Sequence, residues 1–236
     1  MAKLLYLNDS YQKEFEARII SVEESTKIIL DQTLFYPSSG GQPNDAGILT
    51  VGGEDYQVTS VSKDKTTGKI IHVVNKHGLK INEEVIGVID WDRRYKLMRM
   101  HTAAHLLSAL FHKDGALITG NQLDTDKSRI DFSLEQFDQE KIKSLVNKAN
   151  ELIQTDAEIK ISSLPREEAL KLPGMVKLAG ALPPEIAVLR IVEIKGIDQQ
   201  ADGGTHVHCL REIGKIIFLS AENKGKDNRR IYFTVE

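Results

Sequence analysis

The sequence predicts an α+β protein of two domains. The first, residues 1–92, is a small β-barrel-like domain. The second, residues 93–236, is an α+β domain with helices packed on a mostly antiparallel sheet. Three observations carry this. Residues 1 to 92 hold short β-branched runs separated by turn material, with no helical period. Between Trp91 and Arg94 the pattern changes, and apolar residues begin to recur at helical spacing. Beyond that point helix-like and strand-like segments are mixed, which lays helices on one side of a sheet.

Taken in order, "FEARIISVEE", "TKIILDQTLFYP", "GILTVGGEDYQVTSVSKD", "GKIIHVVNK" and "EEVIGVIDWD" read as strands. "EEST", "SSGGQPNDAG" and "KDKTTGK" are the turns between them. Close spacing of short strands suggests a small barrel or sandwich. "RRYKLMRMHTAAHLLSALFHK" then places Leu97, Met100, Ala104, Leu107 and Phe111 along one helix face. "SLEQFDQEKIKSLVNKANELIQTD" is a clearer amphipathic helix, with Ser133 as its cap and Phe137, Ile142, Leu145, Val146, Ala149 and Leu152 as its apolar stripe. "AEIKISSLP" reads as a strand, "REEALKLPGM" as a short helix and "IAVLRIVEI" as a buried strand. The remainder, from "GTHVHCL" onward, reads as strand, turn, strand, loop, strand, and "TGNQLD" as a loop.

Composition bounds the function classes. Hydrophobic residues make up 41% and charged residues 28% of the 236, which is ordinary for a globular protein. Lys+Arg number 31 and Asp+Glu 34, a net charge of −3, so any nucleic-acid partner must be met by a local basic patch. Two such patches stand out: Arg93, Arg94, Lys96 and Arg99, and Lys224, Lys226, Arg229 and Arg230. The single cysteine, Cys209, excludes an internal disulfide and suits a reducing compartment. No signal-peptide pattern opens the chain, and no window nears the ~18 uninterrupted apolar residues of a membrane span. A cytoplasmic protein is expected.

The chemistry concentrates in two segments. In "MRMHTAAHLLSAL", His101 and His105 are one helical turn apart and share a face, so both can reach one ion. Thr102 stands where a zinc-protease helix needs its glutamate, which excludes a H-E-x-x-H protease. In "QADGGTHVHCLREIG", Asp202, His206, His208 and Cys209 cluster behind the Gly203–Gly204 pair. If "THVHCL" is a strand, His206 and His208 share a face and Cys209 takes the other. The plainer alternative is a partly buried strand with a satisfied histidine and an inert cysteine.

"RMHTAAHLL" together with "DGGTHVHCLREIG" resembles the editing domain of alanyl-tRNA synthetases and its free-standing AlaX relatives. Two further segments agree in order and spacing: the glycine-rich "DQTLFYPSSGGQPNDAGIL" and "SRIDFS". A chain with the N-terminal barrel and no aminoacylation domain is similar to the medium-length AlaX type. The resemblance implies a Zn2+ site made by His101, His105 and His206. The family's cysteine falls on Asp202, a departure; Asp202, water or Cys209 completes the site, in that order of preference, since a carboxylate oxygen also binds zinc at about 2.0–2.2 Å.

The resemblance further implies hydrolysis of the aminoacyl ester on tRNA(Ala) carrying the wrong amino acid, serine first and glycine second. A pocket built for alanine cannot strongly reject an isostere that adds a hydroxyl, so a second hydrolytic site is useful. Gln122 and Thr102 are the candidates to recognise the seryl hydroxyl, with Asn121 close behind. Gly40 and Gly41 are expected to let the substrate approach the backbone, and Arg93 and Arg94 to meet phosphates. The competing possibilities are a tRNA-binding or regulatory module with impaired catalysis, and a histidine cluster without metal. Oligomeric state is left open.

Overall fold

In the first ten-residue strand, Phe15, Ala17 and Ile19 are buried while Glu14, Glu16 and Arg18 face solvent, the period-two alternation of a sheet with one wet face. This strand, β2 (Glu14–Glu23), is preceded by β1 (Lys3–Leu4) and followed by β3 (Lys27–Leu30), β4 (Gln32–Thr33), β5 (Gly47–Val51), β6 (Glu54–Lys63), β7 (Ile70–Val74) and β8 (Glu84–Ile89). The computed structural model describes residues 2–133, 138–172, 187–225 and 228–236. It divides into two units, Met1–Lys96 and Leu97–Glu236. In the first unit six strands close a barrel in the order β2-β3-β7-β6-β5-β8, as the spacing of short strands predicts. Its interior is filled by Phe15, Ile19, Ile28, Leu30, Phe35, Leu49, Val58 and Ile89.

The glycine-rich segment is a tight hairpin. Ser39 and Gln42 exchange both backbone bonds, at 3.1 and 2.9 Å, around Gly40 (φ 57°) and Gly41 (φ 86°). Two successive positive φ values make glycine the natural residue at both places. At the base of this hairpin Asp45 is fully buried and accepts from Tyr36 N–H at 2.7 Å. It also takes Arg94 Nε at 2.9 Å and Arg94 Nη2, while the same guanidinium donates to Ser10 O at 3.0 Å and Leu34 O at 2.6 Å. The pair is buried, yet its polar atoms have partners.

Helix α1 (Trp91–Lys113) runs through the division. Asp90 starts it, its side chain accepting from Arg93 N–H at 3.1 Å. Leu, Met, Ala, Arg and Lys carry it, and Gly115 (φ 89°) follows its end. From Leu97 to Phe111 every residue but Arg99 is buried. The five apolar residues that the sequence places at helical spacing, Leu97, Met100, Ala104, Leu107 and Phe111, are all buried, and over this stretch burial extends to the other faces of α1 as well. Polar residues inside it, His101, Thr102, His105 and Ser108, thus have to be satisfied by the protein or by something it binds.

The second unit adds β9 (Ile118–Gln122), β10 (Ser128–Phe132), α2 (Gln139–Ile153), β11 (Ile159–Pro165), α3 (Arg166–Ala169), β12 (Val188–Ile194), β13 (Asp198–Ala201), β14 (Ile216–Asn223) and β15 (Arg229–Val235). They form two antiparallel sheets, β14-β15-β10-β9 and β11-β12-β13. Phe111 of α1 stacks on Phe132 of β10 at 4.2 Å, so α1 covers the face of the first sheet that carries Phe132. Helix α2 begins one turn later than expected. Asp138 caps it through Glu140 and Lys141 N–H, because Ser133 is committed to Leu117 at the end of β10. Phe137, read as part of its stripe, and residues 173–186 lie outside the described residues. Asn150 of α2 holds Ile216 N–H and C=O, each at 2.8 Å, and so fixes the helix to β14. Among the described residues no helix is long and apolar enough to cross a membrane.

Candidate metal centre

The two histidines on α1 are 3% and 6% exposed. One turn of helix brings them edge to face, with ring centroids 5.0 Å apart. A loop after β13 brings a third, His206, to 4.4 Å from the His101 ring and 4.5 Å from the His105 ring. Asp202 completes the group. Its carboxylate lies 3.5 Å from His101 Nε2, 3.9 Å from His105 Nε2 and 3.1 Å from His206 Nε2. One ligand atom from each of the four residues falls within 4.8 Å of every other. A tetrahedral zinc site has ligand atoms about 3.3 Å apart.

The segment carrying His206 is not a strand. Asp202 to His208 forms no ladder, and only Cys209 makes an isolated bridge, to Glu158. The face alternation expected there is therefore corrected: His206 is 1% exposed, while His208 points to solvent. Gly204 explains the path. A Cβ on it would stand 2.2 Å from His101 Cε1 and 2.4 Å from His101 Nδ1, whereas one on Gly203 would meet nothing within 4 Å. Only the second glycine is needed for the chain to pass the His101 ring. Gly204 N–H in turn donates to Asp202 Oδ2.

Burial sets the electrostatics. It lowers the His101 imidazole to about 4 and holds His206 well below the usual histidine value. Burial alone would raise Asp202, but the surrounding histidines outweigh it and keep the carboxyl well below its ordinary range. At neutral pH burial thus leaves His101 and His206 as uncharged imidazoles beside the Asp202 carboxylate, donors suited to zinc. A further observation fits a cation. His105 Nδ1 is buried without a hydrogen-bond partner, 4.0 Å from Asp198 Oδ2. An outer carboxylate behind a metal-bound imidazole commonly sits on that side of the ring.

The remaining candidates separate clearly. Thr102 is fully buried with its hydroxyl engaged by Met98 O, His206 and Val207, so it is corrected as a seat for a substrate hydroxyl. "TGNQLD" belongs to β9 and not to a loop. Asn121 pairs with Ile130, and Ile130 alternates with Phe132, so Asn121 lies on the sheet face that α1 covers. Gln122 lies on the opposite face, exposed, and accepts from Arg129 Nε at 3.2 Å. That placement counts against Gln122 as a pocket residue and in favour of Asn121.

Of the basic candidates, Arg94 is corrected, since its guanidinium is spent on Asp45. Arg99 is taken by Ile213 O and Glu236 O, and Arg229 is buried on backbone carbonyls. Arg93 and Lys96 keep solvent exposure, Arg230 pairs with Asp131, Lys224 pairs with Glu222, and Lys226 lies outside the described residues. Gly40 and Gly41 form the exposed hairpin tip of the first unit. Cys209 stands outside the cluster with its Sγ 3.7 Å from Glu212 Oε1, and burial together with Asp156 raises its thiol.

Sequence reasoning missed Asp198, Gln200 and Arg190. Gln200 donates to Asp198 at 3.2 Å, and Arg190 donates to the Asp202 carbonyl at 2.9 Å. A signal was present: in "DQQAD", Asp198, Gln200 and Asp202 recur at every second place, a polar set on one side of a strand.

Two family models match the chain. Residues 2–93 match tRNA synthetases class II (A), and residues 189–232 match the threonyl and alanyl tRNA synthetase second additional domain. Barrel and cluster together thus define a module of the alanyl-tRNA synthetase editing type. An alanyl-tRNA editing protein AlaX-M of Saccharolobus solfataricus is 51% identical over the whole of both chains. One of Methanosarcina barkeri is 44% identical, covering 100% of this chain and 99% of its own. An alanine–tRNA ligase of Pyrococcus abyssi is 40% identical over 98% of this chain, which spans 25% of the ligase. The chain belongs to the AlaX family of alanyl-tRNA editing proteins, homologous to the editing domain of alanyl-tRNA synthetase.

Proposed function

We propose that the protein is a trans-editing hydrolase. It deacylates mischarged tRNA(Ala) in the cytoplasm, chiefly seryl-tRNA(Ala) and then glycyl-tRNA(Ala), with Zn2+ held by His101, His105, Asp202 and His206. The observation that carries this is the convergence of three buried imidazoles on one carboxylate. End-to-end similarity to editing proteins supports it.

A zinc ion held there supplies positive charge that polarises a carbonyl or a water molecule. Burial keeps His101 and His206 uncharged and so available as ligands. Asp202 replaces the family's thiolate with a harder donor, which leaves more of the ion's charge for the reaction. An ester is already activated relative to an amide, so the protein has to position more than it has to activate. Asn121 carries the amide on the α1 side of the sheet that bonds the seryl hydroxyl. With an alanyl group that amide stays unpaired, at a cost of about 1–3 kcal/mol. Arg93 and Lys96 meet phosphates, and the Gly40–Gly41 tip lets RNA approach the backbone.

The test is a deacylation assay on seryl- and alanyl-tRNA(Ala), run before and after chelation. Expected are rapid loss of the seryl ester, survival of the alanyl ester, and background rates after chelation or in His101→Ala. Asn121→Ala narrows the serine preference by about 10- to 100-fold, and Gln122→Ala leaves it within about twofold. A seryl ester that survives alongside bound tRNA makes the protein a binding module instead.

A further inference from the structure

Thr102 is the one polar residue between the two helix histidines, and it is fully buried. Its Oγ1 has three neighbours: Met98 O at 2.9 Å, His206 Nδ1 at 3.1 Å and Val207 N at 3.3 Å. A hydroxyl owns one proton and two lone pairs. Met98 O can only accept, so the hydroxyl proton goes to it, at the shortest of the three distances. Val207 N–H can only donate, which uses one lone pair. The second lone pair then faces His206 Nδ1, and that nitrogen has to be the protonated one.

We propose that Thr102 is a positioning residue: it fixes the Nδ1–H tautomer of His206 and so leaves the Nε2 lone pair, 3.1 Å from Asp202 Oδ2, to bind an ion held between the two with His101 and His105. This rests on the metal-centre function proposed above. The geometry has a second consequence. Thr102 sits one residue after His101 on α1, so the same side chain also ties the His206 loop, through Val207 N–H, to the helix that carries the other two imidazoles. The ring's orientation and its protonation pattern are set by one hydroxyl. Outer partners of this kind typically carry 10- to 100-fold in metal affinity.

The experiment compares wild type, Thr102→Val and Thr102→Ser. Valine keeps the shape and removes both lone pairs; serine keeps the hydroxyl. Zn2+ and Co2+ affinities are measured by chelator competition, with the visible spectrum of the Co2+ protein as a report on ligand geometry. Expected is an affinity loss of about 10- to 100-fold in Thr102→Val with an altered Co2+ spectrum. Thr102→Ser should stay within about threefold of wild type, with the wild-type spectrum. Seryl-ester hydrolysis by Thr102→Val should recover as free metal is raised.

Equal affinity and an unchanged spectrum in Thr102→Val overturn the role of Thr102 alone. A wild type that takes up neither Zn2+ nor Co2+ overturns the metal centre, and this inference with it. Should Thr102→Val fail to fold, ring ¹⁵N shifts of the zinc-loaded wild type decide. They must show His206 protonated at Nδ1; a His206 protonated at Nε2 overturns the assignment.

Discussion

Two buried histidine environments in this chain look alike by exposure and differ in chemistry. His72, inside the barrel, is fully buried and lowered to about 4, as His101 is. Both ring nitrogens of His72 are answered by neutral protein groups: Nε2 by Thr33 Oγ1 at 2.9 Å and Nδ1 by Ile28 O at 3.1 Å. His101, His105 and His206 instead converge on one carboxylate and on one another. The Arg94–Asp45 pair repeats the lesson with charges. There a buried carboxylate has its cation supplied by the protein, with backbone carbonyls completing the guanidinium. At Asp202 the carboxylate instead meets three imidazoles, a set that could hold a metal ion. Burial of a polar group says little by itself; whether its partners are already present separates scaffold from site.

The comparison can be broken at its strongest point first. Arg94→Met leaves Asp45 buried without its cation and should cost about 3–5 kcal/mol of stability, read as a lower urea midpoint of barrel unfolding. The double change Arg94→Met with Asp45→Leu should recover most of that. If the single variant unfolds at the wild-type midpoint, the pair does not hold the hairpin base.

Next in size is a pH effect. His72 stays neutral in the fold down to about 4, whereas an unfolded histidine titrates near 6.5. Between these values the unfolded chain binds the extra proton. Stability contributed here is therefore complete above about pH 6.5 and is lost as pH falls toward 4, by about 3 kcal/mol in all. His72→Gln should flatten that part of the curve for barrel unfolding. An unchanged slope would mean that His72 is accessible to protons in the native state.

The smallest effect sharpens the metal side. Gly204→Ala pushes a methyl into His101 and should weaken Zn2+ binding by about 10- to 100-fold, while Gly203→Ala stays near wild type. Equal losses in both variants would show that turn flexibility, and not the close approach to His101, is what the site requires.

Much of this was legible in advance because local rules wrote it. Five β-branched runs and the turn residues between them marked the stretches that hold the six barrel strands, and i, i+4 spacing placed His101 and His105 on one face of a helix. Four ordered motifs carried the family, which the full-length similarity bears out. The errors fall where a long-range partner overrides a local signal. "THVHCL" reads as a strand, but among the described residues Asp202 to His208 joins no ladder and makes only single backbone bonds, Asp202 N–H to Arg190 O and Ile159 N–H to His208 O. Ser133 reads as a cap, but it bonds Leu117 across the β9–β10 hairpin. Arg94 reads as a phosphate contact, but Asp45, far off in the chain, claims it.

What the sequence determined by itself, then, is the set of available groups: a barrel-forming half, an H-x-x-x-H helix, and a glycine-bearing segment that carries Asp202, His206, His208 and Cys209. Periodicity and residue chemistry suffice for that, because both act over a few residues. Which donors meet was decided only in three dimensions. Asp202 and His206 reach His101 and His105 across about a hundred residues because Gly204 lets the backbone pass the His101 ring and Thr102 ties the loop to the helix. The same packing turned Gln122 away and Asn121 inward, a choice set by strand register. Register and close approach are properties of paired segments, and no single segment of the sequence contains them.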